Sequence, residues 1–327
     1  MIQPYELKLG LPMNIPDGIV STTTKVWDIL VASHRGDLEA VKEIVDECPE
    51  LIYAQYNYTP PIHFAVREGH PDLVNYLLEQ GAYDPTYRIY PFLDSLVTIA
   101  EDRGHNDIAN ALIEYADNPS RQKYNGDNGK INFNRTKEQQ EFEDAVHTSD
   151  IRKAEQVLKA HPDFASDETY FWGEGILTIP VKHQEQKLVE LLLNYGAKVP
   201  AILKWTQFYY FKFYNSAKHI MERGMNPDVM SWHAVTILHD MAQKGEIEKA
   251  ELLIKHGAAI NTIEEEYQST PLGMAVRWGH IEMVRFLLSQ GADPNKSGAT
   301  WATPLAWARR KRYEAIEKIL IDAGAKE

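Results

Sequence analysis

The residues of this 327-residue chain that could carry chemistry are twelve histidines, one cysteine and a few glycine-flanked polar runs. A zinc site needs ligands converging from rigid elements, most recognisably two histidines one helical turn apart around a glutamate, or paired Cys-x-x-Cys steps. Neither pattern occurs. A calcium loop needs carboxylates at its first, third and twelfth positions around a sharp glycine turn. The run Gly126-Asp127-Asn128-Gly129-Lys130-Ile131-Asn132-Phe133 has the glycine and the apolar residue two places on, but Tyr124, Gly126 and Arg135 then stand where the ligands belong. It reads as a surface turn. Gly173-Glu174-Gly175 lacks the rest of a dinucleotide fingerprint, no phosphate-binding loop is present, and Cys48 sits beside Pro49 at a helix end. The sequence therefore predicts a protein that is not an enzyme, with no catalytic centre, no cofactor and no metal.

Charge and composition narrow the partners. A formal net charge of −13 opposes generic binding to nucleic acid or to an anionic membrane surface, because both would repel the protein. One cysteine cannot form an intrachain disulfide, which suits a reducing compartment. Residues 1–18 include three prolines and no charged start followed by an apolar run, so no signal peptide is expected. No stretch reaches the ~18 consecutive apolar residues of a spanning helix. Asn134-Arg135-Thr136 fits a glycosylation sequon that matters only in a secreted protein. The expectation is a soluble, cytoplasmic chain.

Self-comparison gives the organisation. Gly81-Ala82, Gly196-Ala197, Gly257-Ala258, Gly291-Ala292 and Gly324-Ala325 recur, and the corresponding positions fall near 48, 81, 116, 161, 196, 224, 257, 291 and 324. A period near 33 over most of a chain predicts a stack of small repeated units. An insertion precedes the fourth unit and a deletion of about five residues precedes the sixth. Within one unit, Thr270 can cap a helix, Pro271 suits its first position and Gly279 suits its end. Ile281, Val284, Leu287 and Leu288 then give a second helix one apolar stripe, closed by Gly291. Ala32, Ala65, Ala100, Ala145, Ala275 and Ala308 fall at one matching place, where a small side chain lets helices approach. A second order links units one and four: Asp37-Leu38-Glu39-Ala40-Val41 parallels Asp150-Ile151-Arg152-Lys153-Ala154, as though a three-unit block had been duplicated.

Pro61-Ile62-His63-Phe64-Ala65 with Gly69-His70, Thr270-Pro271-Leu272 with Gly279-His280, and Thr303-Pro304-Leu305 resemble the ankyrin repeat, whose pattern is Thr-Pro-Leu-His followed by Gly-His, Leu-Leu and Gly-Ala-Asp. The resemblance covers roughly residues 25–327, tightly in units two, seven, eight and nine. It implies an all-α ankyrin-type solenoid of about nine helix-turn-helix repeats. Residues 1–24 form an N-terminal extension, 25–116 repeats one to three, 117–136 an insertion or linker, and 137–327 repeats four to nine of one continuous solenoid. It also implies that His63, His239, His70, His105 and His280 brace turns.

The resemblance further implies a concave face made of turn tips and of the two residues before each Gly-His. Those pairs include Arg35, Arg67, Arg103, Lys182, Tyr210-Phe211, Lys244, Arg277-Trp278 and Arg310, and seven of the nine pairs carry Lys or Arg in an acidic protein. The expected partner is a protein or peptide with acidic groups, since Arg and aromatic rings make good interface anchors. Tip residues Phe171, Trp172, Trp232, Tyr267 and Trp301, with Tyr56, Tyr58 and Phe92, suggest an aromatic wall or else rings packed between turns. An aromatic-lined site for a small molecule or glycan is the alternative function. Phe208 to Tyr214 place six rings within one helix length, too many for a single face. Arg309-Arg310-Lys311-Arg312 reads as solvated helix surface.

Overall fold

The computed structural model describes residues 1–118, 129–204 and 209–326, and divides into two compact units, Gln3–Phe133 and Asn134–Glu327 with Met1–Ile2. The middle of the expected insertion, part of the glycine turn at 126–133, and Phe208 lie outside the described residues.

The smaller unit contains three helix pairs: α1 (Thr23–Arg35) with α2 (Leu38–Glu47), α3 (Pro61–Glu68) with α4 (Pro71–Glu79), and α5 (Leu96–Arg103) with α6 (Asn106–Ala116). The Thr22 and Ser95 hydroxyls accept from Lys25 N and Thr98 N and start α1 and α5, while α3 starts on Pro61, whose missing N–H costs nothing there. First helices pack on first helices, α1 on α3 and α3 on α5. The fully buried Ile29, Leu30, Phe64, Ala65, Ile99 and Ala100 supply this core. Each large side chain among them contributes about 1.5–3 kcal/mol.

The N-terminal segment is ordered structure. β1 (Pro12–Asn14) pairs antiparallel with β2 (Val20–Thr22) on one side and with β3 (Lys130–Ile131), from the end of the expected insertion, on the other. Leu7, Met13 and Ile15 are buried beneath. Strands of two or three residues are too short to show an alternation in the sequence, so this sheet was not foreseen.

The larger unit holds α7 (Lys137–His147) with α8 (Ile151–Ala160), the short α9 (Tyr170–Gly173), and α10 (Thr178–Lys182) with α11 (Gln186–Asn194). It continues with α12 (Tyr214–Glu222), α13 (Ile237–Lys244) with α14 (Ile247–Lys255), α15 (Pro271–Arg277) with α16 (Ile281–Ser289), and α17 (Pro304–Lys311) with α18 (Glu314–Asp322). α13, α15 and α17 pack in succession. The ring-rich run before α12 departs from the helix length expected of it. Residues 209–211 form a 3-10 turn, Tyr210 and Phe211 are buried, and Tyr214 is exposed at the start of α12. Rings that would point all round one helix are instead parted by a bend. β4 (Ile202–Leu203) and β5 (Met230–Ser231) pair in parallel on either side of this irregular repeat.

Two devices fix the register between repeats. In the first, a histidine ring lies on the helix-ending glycine of the preceding repeat: His70 Nε2 reaches His34 O at 3.0 Å, and His280 Nε2 reaches Gln243 O at 2.6 Å. A Cβ on Gly69 would stand 2.4 Å from the His105 ring, whereas one on Gly104 would meet nothing within 4 Å, although both residues are left-handed (φ 79° and 82°). In the second, the fully buried His239 ties α13 to the following turn. Its Nδ1 accepts from Thr236 N at 3.1 Å, and its Nε2 donates to Thr262 O at 3.0 Å and Ser269 O at 3.2 Å. Glu264 braces the same turn from within, its carboxylate accepting from the backbone N–H groups of Glu266, Tyr267 and Ser269 at 2.6–3.0 Å.

These contacts give two expected outcomes. Gly104→Ala carries only the backbone cost, about 1–2 kcal/mol, while Gly69→Ala adds about 1–3 kcal/mol of overpacking against His105. Equal losses in urea unfolding would show that the ring does not seat on Gly69. Burial pushes the His239 pKa down from 6.5 to about 4, so its contribution is present above pH 6.5 and is lost as pH falls toward 4. Burial pushes Glu264 up to about 7, so its term has the opposite sign over much of the same range. The difference between proteins isolates the histidine: the stability gap between wild type and His239→Gln should narrow by up to about 3 kcal/mol between pH 7 and pH 4. A gap that stays constant or widens on acidification would refute the neutral, Nε2-protonated ring.

Candidate functional site

The densest group of expected partner-binding residues lies at the ends of α15 and α17. Thr270 and Thr303 cap these helices, accepting from Gly273 N at 3.3 Å and Ala306 N at 3.1 Å, with Pro271 and Pro304 at the first position. Equal starts and similar lengths bring Arg277 and Arg310 to equivalent last-turn positions one repeat apart. The Arg277 guanidinium carbon lies 4.0 Å from the ring centre of Tyr267, 4.1 Å from that of Trp278 and 5.4 Å from that of Trp307. Arg310 lies 5.0 Å from the same Trp307 ring. A desolvated cation against aromatic faces contributes roughly 2 kcal/mol, and here it also restricts the plane of a long side chain.

Trp307 is the centre of the group. It is fully buried, its Nε1 donates to Ser269 Oγ at 2.8 Å, and Trp301 and Tyr267 meet it nearly edge-on at 5.8 and 6.2 Å. Ser269 belongs to the turn that Glu264 and His239 brace, so the platform under both arginines is fixed through the backbone of that turn. At the surface, Arg310 is exposed, Trp278 and Trp301 are half-buried, and Arg277 is buried beneath them.

In the smaller unit, Arg67 and Arg103 converge on Glu68. Arg67 Nε lies 2.6 Å from Glu68 Oε1, Arg103 Nη1 lies 3.5 Å from Oε2, and Arg103 also donates to Arg67 O at 2.8 Å. His34 Nε2 approaches the same carboxylate at 3.6 Å. Burial pushes the Glu68 carboxyl up, but the Arg67 and Arg103 charges together outweigh it and hold the group below its usual range. This ladder joins three successive repeats, and Arg67, 1% exposed over the Phe64 ring, is part of the packing.

The remaining expected residues divide by burial. Phe171, Tyr210, Phe211, Trp232 and Tyr267 are each 4% exposed or less, which corrects the picture of a solvent-facing aromatic wall. Phe171 N donates to Glu143 Oε1 at 2.7 Å, Tyr210 OH lies 3.3 Å from the Thr178 hydroxyl, and the Trp232 ring packs against His233. Burying a ring between neighbouring turns removes a large apolar area from water, which outweighs leaving it at a tip. Tyr56 and Phe92 are buried likewise, while Tyr58 remains exposed. Arg35 and Lys244 are exposed, Lys244 reaching the buried Asp240 at 2.7 Å, and the half-buried Lys182 lies 5.0 Å from the Tyr209 ring centre. The side chain of Trp172 lies outside the described residues. Trp307 was not among the expected residues, and Glu68 entered only as the second member of the Arg67 pair before Gly69-His70. The signal for Trp307 was the position just before the small alanine, which also holds the buried Phe64 and Met274.

Among the described residues no helix is long and apolar enough to cross a membrane. A family model for ankyrin repeats in three copies matches residues 208–298, and one for a single ankyrin repeat matches residues 58–89. Palmitoyltransferase ZDHHC13 of Mus musculus is 36% identical over 93 residues, 28% of this chain and 14% of that protein. The 2-5A-dependent ribonuclease of Mus musculus is 40% identical over 62 residues, 19% of this chain and 8% of that protein. The ARF GTPase-activating protein Git of Drosophila melanogaster is 34% identical over 86 residues, 26% and 12% of the two. The chain thus spans a small part of the relatives it matches. Ankyrin repeats are in general a protein-interaction scaffold, and the capped helix pairs and histidine–glycine seats agree with the two matched segments: the chain contains ankyrin repeats.

Proposed function

We propose that this protein is a non-catalytic scaffold that binds a protein or peptide through the face formed by the ends of its first helices, with the Arg277–Trp278–Trp301–Arg310 surface as its anchor. One observation carries the reading: two arginines one repeat apart rest on the same buried indole, Trp307, with two half-buried tryptophans beside them. Fixing guanidinium groups in advance reduces the side-chain entropy lost on binding, and Trp and Arg dominate the energetics of interfaces. An acidic segment suits this surface, because the exposed Arg310 fork pairs with carboxylates in a directed way.

Three of the buried ionisable groups have structural work that argues against a catalytic role for them. His239 and Glu264 are spent on backbone groups of one turn, and Asp240 on Lys244. The net charge of −13 argues against nucleic acid and anionic membrane as partners, and the single cysteine suits a cytoplasmic setting.

The test is to capture partners from extract with the wild type and with Trp278→Ala/Arg310→Ala, then to titrate the purified partner against both. The double variant should bind at least about tenfold more weakly with an unchanged circular dichroism spectrum, and raising the salt from 50 to about 300 mM should weaken the wild type. Equal affinity for the folded double variant would discard this anchor. A screen in which only a glycan or metabolite binds would favour the small-molecule alternative.

A further inference from the structure

Three successive junctions in the larger unit are laced in the same way. Asp228 Oδ1 accepts from Ala259 N at 2.7 Å, Asn261 Oδ1 from Asp293 N at 2.9 Å, and Asn295 Oδ1 from Lys326 N at 2.7 Å. In each case the acceptor stands four places after one helix-ending glycine and the donor two places after the next: Gly224 and Gly257, Gly257 and Gly291, Gly291 and Gly324. The junction before these three breaks the pattern. Four places after Gly196 stands Pro200, whose side chain accepts no hydrogen bond, so Asn226 N–H lacks the side-chain acceptor that its three counterparts have.

At this junction a cavity of about 360 Å³ opens between α11 and α12, and Asn226 lies in its wall. The half-buried Leu193 and the buried Ile220, Met225 and Val229 give it an apolar lining. Arg223, Lys198 and Glu168 also line it. Arg223 is steadied by Glu190 at 3.3 Å and by Asn194 Oδ1 at 2.7 Å. The volume is in the range of small-ligand sites.

We propose that this cavity binds a small monocarboxylic acid with a branched apolar body. The carboxylate accepts from Asn226 N–H, taking the role that an Asp or Asn side chain plays at the three following junctions. The apolar body packs on Leu193, Ile220, Met225 and Val229. Two cationic side chains, Arg223 and Lys198, attract an anion, while Glu168 and Glu190 nearby repel further negative charge, so a single carboxylate fits better than a dianion such as phosphate. The site is separate from the Arg277–Arg310 surface and does not depend on the scaffold reading.

The experiment is a titration of the labelled 327-residue chain by NMR, with isocaproate as probe and isohexanol, the same carbon skeleton without the charge, as control. Isocaproate should move the Asn226 amide saturably with a Kd on the order of 1 mM. It should also move the Met225 methyl, and isohexanol should leave the Asn226 amide in place. Pro200→Asn, which restores the lacing residue, and Met225→Trp, which fills the cavity, should each weaken binding at least about tenfold. If Pro200→Asn fails to fold, Met225→Trp decides alone. The proposal is overturned by no saturable shift at about ten times that concentration, by an alcohol that moves the amide as the acid does, or by a folded variant that binds isocaproate like the wild type.

Discussion

A pair of helices eight to ten residues long cannot bury its own apolar stripe, and its chain entropy outweighs what it gains alone. The fold within each unit follows from this shortage. α3 gains a core only because α1 lies on one side of it and α5 on the other, and α15 is placed likewise between α13 and α17. Register then becomes the controlling quantity, because a repeat that slides along its neighbour loses the buried stripe and the polar seats together. The glycine under each histidine ring and the buried His239 that reaches two backbone carbonyls are devices for holding register at the ends of helices, where apolar packing is weakest.

The same devices shape the binding surface. Arg277 and Arg310 are spaced by the repeat, not by a loop built for recognition, and their common support on Trp307 rests on Ser269, a residue of the braced turn. Rigidity there is a by-product of stacking. In the smaller unit the equivalent positions meet a carboxylate, so Arg67 and Arg103 are drawn into a ladder with Glu68 and strengthen the stack itself. Like residues at like positions therefore do different work, decided by whether the neighbour is an aromatic ring or an acid.

That distinction limits what the amino-acid sequence could reveal. The helix starts at Thr270 and Thr303 and the end at Gly69 were legible because capping and left-handed turns depend on a few adjacent residues, whereas the bracing histidines were implied by the family resemblance. Which aromatic rings face water was not legible. Tyr267 and Trp232 look exposed when assigned to a turn tip, yet each folds onto a side chain contributed by its own or a neighbouring repeat. The β1–β2–β3 sheet was hidden for a related reason: its third strand arrives from more than a hundred residues away and carries two residues of signal.

The sixth repeat shows how much the array tolerates. Its described residues 209–213 form a 3-10 turn and a bend, yet α12 still packs on α14, and Tyr210 and Phe211 are still buried. Continuity is kept by the parallel pairing of β4 with β5, which bridges the irregular segment with backbone hydrogen bonds that need no particular side chain. A stack held only by side-chain stripes would lose cohesion where a stripe is missing. Here backbone pairing maintains the connection through the fault, and a cavity opens at the unlaced junction at Pro200 beside it. Departures from the repeat are thus the places where the array can acquire a property that its regular members lack.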